Sequence, residues 1–270
     1  MKIILSLNTD VTNILSTRYD VFDVVITQYF LAIQRVKKYY PNSEIILYTD
    51  EIGKYFFEDM CTIKLLDKNN SFLFSEAKIE AITKEEVPFI HIDGDLFLDG
   101  QLRYSPNIDL LIDHDDNNIW EDYYKPVVNK FDEYNIKSVF PDWRKPKRLF
   151  CMGVAGFFNK ELKDKYIESY YITKNFYEGL KDKVRFYSLT PIVVEQYPLA
   201  VIAHSQGYSY EFAERRSKYI HLFGKQKFYK KNIDWINKEC EEYTEWEQFK
   251  NKLDNYDKDN LVFRYFTNYE

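Results

Sequence analysis

The 270-residue sequence is poor in glycine and proline, with eight of each, and it has no Ser-rich or repetitive stretch. Linkers and low-complexity segments are built from such residues, so no break between separate domains is marked. Cysteine is scarce too. Cys61, Cys151 and Cys240 are odd in number and far apart, without the spacing of a disulfide framework or a sequence-local zinc motif, and a reducing compartment is expected. Long apolar runs are missing. The opening MKIILSL reaches polar residues at Asn8, Thr9 and Asp10, too soon for a secretory leader or a membrane span, and reads as the first strand of a cytoplasmic protein. A basic excess is also absent: 37 Lys and Arg face 43 acids, a net charge of −6, which argues against nucleic-acid or anionic-membrane partners that need a positive field.

What is present is material for a core. The chain is 45% hydrophobic and carries 24 Tyr and 21 Phe, enough for one substantial α/β domain with appendages. Short apolar runs alternate with helical periodicity. Residues 2–7, EIILYTD and CTIKLLD read as strands, while 21–40, 52–57 and 75–84 read as helices. IDLLIDHDD and LFCMGVAGFFN are two further strands, and two long amphipathic helices follow, the second opened by Thr190 and Pro191. This alternation predicts a mostly parallel sheet flanked by helices. Near-helical spacing of Trp235, Ile236, Cys240, Tyr243, Trp246, Phe249 and Leu253 predicts a helical extension over 230–270, packed on a domain spanning 1–229.

Ligands on such sheets sit at the carboxyl ends of the strands. One such end carries VPFIHIDGDLFLDG, where an apolar strand runs into Asp93 and Asp95. Two neighbouring carboxylates in an apolar wall are costly unless a metal ion, a basic side chain or solvent relieves them. If both point into one crevice, hard oxygen ligands suit Mg²⁺ or Mn²⁺, with phosphate oxygens completing the shell.

FIHIDGDLFL resembles the DxD segment of nucleotide-sugar-dependent glycosyltransferases of the GT-A fold. SEAKIEAI, CMGVAGFFN and HLFGKQK then follow the pattern of the family 8 branch of those enzymes, the last resembling its HxxGxxK segment. Met152 stands where that branch has Asn, and Phe228 and Tyr229 stand where it has Pro-Trp. The resemblance implies a single GT-A-like domain that moves a sugar from a nucleotide diphosphate sugar, with UDP favoured, to an unidentified acceptor, leaning towards retention. It implies Mn²⁺ or Mg²⁺ held by Asp93, Asp95 and His221. It also implies donor contacts from Asp93, Lys78, Gly153, Gly156, Gly224 and Lys227.

Asn8, Thr9 and Asp10 are expected beside the base and ribose, with Tyr19 stacking. Lys227 joins Asp93 and Asp95 in stabilising the leaving diphosphate. Asp115, Asp116, Glu195 and Gln196 are candidates for orienting acceptor hydroxyls, and Glu195 is counted with the catalytic set. His91 and His204 read as structural, and His114 fits either role. Two rivals stand beside this reading: a haloacid-dehalogenase-like phosphohydrolase, whose aspartate pair DGDLFLDG imitates, and a non-catalytic nucleotide-sugar-binding module.

Overall fold

A computed structural model describes residues 1–9, 19–67, 75–180 and 190–257. Strands β1 (Lys2–Leu7), β2 (Glu44–Thr49) and β3 (Thr62–Leu65) alternate with helices α1 (Tyr19–Tyr39), α2 (Glu51–Phe57) and α3 (Glu76–Lys84). β4 (Phe89–Ile92), β5 (Leu96–Leu98) and β6 (Leu110–Asp115) follow, then α4 (Lys125–Glu133) and β7 (Phe150–Phe157). The remainder comprises α5 (Lys160–Leu180), α6 (Thr190–Ser205), β8 (Tyr210–Phe212), β9 (Tyr219–His221), α7 (Lys230–Cys240) and α8 (Trp246–Asp254).

Seven strands form one sheet in the order β3-β2-β1-β4-β7-β6-β8. The pairs β3–β2, β2–β1, β1–β4 and β6–β8 are parallel, and β7 is inserted antiparallel between β4 and β6. The expected mostly parallel α/β architecture is therefore present. Alternate residues of β1 show why both faces are covered: Ile4 enters the cluster with Ile82, Phe131, Tyr166 and Tyr197, whereas Leu5 and Leu7 join Phe30, Phe57 and Phe249 on the other face. Helices α7 and α8 close that second face. Trp246 and Phe249 pack within 5.1 and 4.6 Å of the Phe30 ring, and burying each such side chain is worth about 1.5–3 kcal/mol.

Two departures from simple alternation build the candidate site. β5 leaves the main sheet and pairs only with β9, an antiparallel ribbon that sets Leu96 opposite His221. The β6–β7 pairing also shifts register between Ile112 and His114, a kink that re-aims side chains, as such irregularities do near functional sites.

Candidate metal and donor site

The aspartates do not alternate on a strand, as equal facing of residues two apart would require. Asp93 ends the β4 ladder with its N–H on the Gly153 carbonyl at 2.9 Å, and the chain then turns, with Leu96 N–H donating to the Asp93 carbonyl at 3.1 Å. Gly94 makes that turn possible: a Cβ there would lie 2.2 Å from the Tyr29 ring, whose hydroxyl donates to the Ser6 carbonyl. Convergence of the two carboxylates comes from the turn rather than from strand pleat.

The β5–β9 ribbon carries His221 to them, its Nε2 3.5 Å from Asp95 Oδ1. Its Nδ1 meets Asp113 Oδ2 at 2.6 Å. This carboxylate–histidine pairing fixes the ring so that Nε2 faces the aspartates, the arrangement that commonly orients a metal-binding imidazole. One atom each from Asp93, Asp95 and His221 lies within 4.8 Å of the others. Octahedral ligands at about 2.1 Å from one ion lie up to about 4.2 Å apart, so a small inward adjustment suits Mn²⁺ or Mg²⁺, and the oxygen-rich donor set fits them chemically.

Two lysines balance the aspartates. Lys227 Nζ lies 2.9 Å from Asp95 Oδ2. Lys78, expected as a donor-phosphate contact on a helix, is buried, with Nζ 2.8 Å from Asp93 Oδ1, 2.8 Å from Glu195 Oε1 and 3.1 Å from the Met152 carbonyl. All its donors are thereby directed at protein atoms. Burial pushes the Asp93 carboxyl up to about 6 against the pull of Lys78, with Asp95 and Glu195 adding to the rise. Burial acts the same way on Asp95, yet Lys227 and His221 outweigh it and hold that carboxyl far below the usual range. Burial also opposes a charged His221, but Asp113 and Asp95 keep its pKa well above the ordinary histidine value.

Several expected contacts are corrected. Thr9 is 1% exposed, and its N–H and hydroxyl both donate to Asp50 Oδ2, at 2.7 and 2.6 Å, so it pins the end of β1 instead of facing a ribose. Glu195 is 2% exposed and stands behind Lys78, which removes it from direct acceptor contact. Asp115 pairs with Arg148 at 2.6 Å, and the Tyr124 hydroxyl lies between Asp116 Oδ2 at 3.0 Å and Gln196 Oε1 at 2.5 Å. Asn8 lies half-buried at the end of β1; Asp10 is outside the described residues, and Tyr19 is placed only as the first residue of α1.

Gly153 admits the site, since a Cβ there would fall 2.4 Å from His221 Cε1 and 2.5 Å from Asp113 Oδ2. Gly156 sits beside Leu111 and Phe158, on the sheet, not in the site. Gly224 adopts φ +61°, a left-handed conformation that glycine takes without steric cost. His91 lies 2.9 Å from Ser6 Oγ, and His204 is bonded to the Ala200 carbonyl and Tyr210. Sequence reasoning missed Asp113. The acid-rich end of IDLLIDHDD was its signal, but only the β6–β7 kink singles it out from its neighbours.

A family profile, DUF6734, described as a family of unknown function, matches residues 1–209. The chain belongs to DUF6734. No curated protein matches it. Among solved structures, this DUF6734 member is similar to the galactosyltransferase LgtC in complex with donor and acceptor sugar analogues, with TM-score 0.53 at 12% identity over 92% of this chain and 100% of that one. It also resembles the apo form of the bifunctional glycosyltransferase WbbM, with TM-score 0.55 and 10% identity; 93% of this chain is covered, matching about half, 51%, of WbbM. At such identities the likeness establishes the GT-A-like fold. Among the described residues, no helix is long and apolar enough to cross a membrane.

Proposed function

We propose that this chain is a metal-dependent glycosyltransferase that moves a sugar from a nucleotide diphosphate sugar, with UDP the favoured nucleotide, to an acceptor hydroxyl. The observation that carries the reading is the meeting of Asp93, Asp95 and His221 ligand atoms within 4.8 Å at the carboxyl end of β4. A GT-A-like sheet and Lys227 at the same point support it. The division into a transferase unit over 1–229 and a helical extension from 230, whose last residues, 258–270, lie outside the described residues, belongs to the same proposal.

Asp93, Asp95 and His221 would hold Mn²⁺ or Mg²⁺. Such an ion, when bound, neutralises the charge that develops on the leaving diphosphate. Asp113 keeps the His221 ring oriented, and Lys78 offsets the charge of Asp93 from beneath. Lys227 supplies a fixed cation whose N–H groups can turn from Asp95 to diphosphate oxygens. Gly224 lets the segment from His221 to Lys227 reverse direction, which favours its folding over a donor and excluding water.

Retention is the favoured outcome. An inverting reaction needs a carboxylate base on the acceptor side. Here Asp115 is paired with Arg148, Asp116 with His114 and Tyr124, and Glu195 with Lys78. The three separate free thiols support a reducing, cytoplasmic setting. Thermal unfolding with UDP, GDP or CDP, each with and without Mn²⁺, tests the donor reading: UDP with Mn²⁺ should raise the midpoint most, because a ligand of the native state alone stabilises it. Equal midpoints in all six conditions would end the proposal. Release of UDP from UDP-sugars then identifies the sugar.

A further inference from the structure

Behind His221 lies a second set of metal-binding atoms, which shares His221 and its partner Asp113 with the proposed transfer site. Asp113, His114, Cys151 and His221 each offer a ligand atom, all within 4.8 Å of one another. Asp113 Oδ2 is their centre, 2.6 Å from His221 Nδ1, 3.1 Å from His114 Nδ1 and 3.5 Å from Cys151 Sγ. Tetrahedral ligands around zinc stand about 3.2–3.7 Å apart, so a modest outward turn of the Asp113 carboxylate opens the centre to an ion. Cross-strand pairing of His114 with Cys151, arrival of His221 on the ribbon, and the missing side chain of Gly153 bring the four together from three separate segments of the chain.

We propose that Asp113, His114, Cys151 and His221 form a second cation site that takes an ion of the zinc class. The thiolate selects a softer ion than the Asp93–Asp95 site does. Each imidazole is already oriented for it: His114 Nε2 faces Asp116 Oδ1 at 3.1 Å and His221 Nε2 faces Asp95 Oδ1 at 3.5 Å, which leaves both Nδ1 atoms towards the centre. One carboxylate and one thiolate match the charge of a divalent ion in a buried place, and neutral imidazoles complete the shell. Entry is provided by a cleft of about 320 Å³ lined by Asp113, His114, Tyr219, His221 and Phe223, among others. With an ion on Nδ1, His221 keeps its Nε2 proton towards Asp95, so the ring serves one ion at a time. That exclusivity rests on the transferase reading; the second site itself does not.

Cobalt(II) tests the assignment, because a cysteine thiolate bound to it gives a charge-transfer band in the near ultraviolet. Added to the chelator-treated full chain, Co²⁺ should produce this band, Zn²⁺ should bleach it, Cys151→Ser should abolish it, and Asp93→Asn should keep it. His114→Ala should weaken Zn²⁺ binding by more than about tenfold. Absence of the band in the unaltered chain, its persistence in Cys151→Ser, or its loss in Asp93→Asn would overturn the proposal. Failure of Mn²⁺-dependent UDP binding with the band intact would count against the transferase reading alone.

Discussion

Among the described residues, fully buried carboxylates fall in two places, and they are balanced differently. Glu85, 1% exposed, is met by Lys2 at 2.9 Å, by Lys64, and by the Tyr48 hydroxyl at 2.6 Å: one anion with two cations and a neutral donor. Around β4 and β6, Asp93, Asp95, Asp113, Asp116 and Glu195 share Lys78, Lys227, His114 and His221. Five acids there have two lysines and two histidines, whose pKa values the neighbouring acids raise against burial. The Glu85 cluster is complete as it stands and serves the fold, whereas the second collection has carboxylates to spare for a ligand's positive charge. Burial acts to raise the pKa of both Glu85 and Asp93, but the lysines and the Tyr48 hydroxyl overcome it at Glu85, whose pKa is lowered, whereas Lys78 does not overcome it at Asp93.

Five perturbations bear on this contrast. The largest effect is expected from Asp95→Ala, which removes a proposed ligand and strips Lys227 of its partner: sugar transfer, measured as Mn²⁺-dependent release of UDP, should fall by at least about 100-fold. Gly153→Ala and Asp113→Asn come next. The first pushes on His221 and the second loosens its ring, and each should cost about 10–100-fold in Mn²⁺ affinity by calorimetry. If either variant bound Mn²⁺ normally, His221 would lose its assigned place.

Glu85→Gln should act on stability alone. Lys2 and Lys64 are 35% and 41% exposed and can turn to water, so the loss should be about 1–3 kcal/mol in denaturant unfolding, below the cost of a sealed pair. Because the folded pKa of Glu85 is lowered, its contribution is whole above the ordinary glutamate value of about 4.3 and is lost as pH falls through the folded value. Glu85→Gln should flatten that acid limb of the unfolding midpoint against pH. The smallest effect is expected from Asp93→Asn in chelator. With its carboxyl pushed up to about 6, the native charge is held at a cost, and its removal should leave the midpoint unchanged or higher in chelator while abolishing UDP binding when Mn²⁺ is supplied. A large drop in midpoint would place Asp93 with Glu85 as a structural residue.

Most strands and helices were legible because apolar periodicity reports burial directly, as in the fully buried β4 and the stripe of α8. Asp93, Asp95, His221 and Lys227 could be picked out because a turn and a short C-terminal segment carry them as recognisable strings. The β5–β9 ribbon was not legible: three-residue strands far apart in sequence carry almost no local signal. Burial of Lys78 and Thr9 escaped for a related reason. A lysine on a helix and a threonine at a strand end look solvent-facing until Glu195 and Asp50 arrive from distant elements. Asp113 depended on a shift in register, which sequence periodicity does not record.

Calorimetry of UDP binding to the full chain, with Mn²⁺ and with chelator, tests most directly whether Asp93, Asp95 and His221 share one ion with a diphosphate. Binding should appear with Mn²⁺, vanish with chelator, and be lost in Asp95→Asn even when Mn²⁺ is present. UDP binding of equal strength in all three conditions would contradict the account.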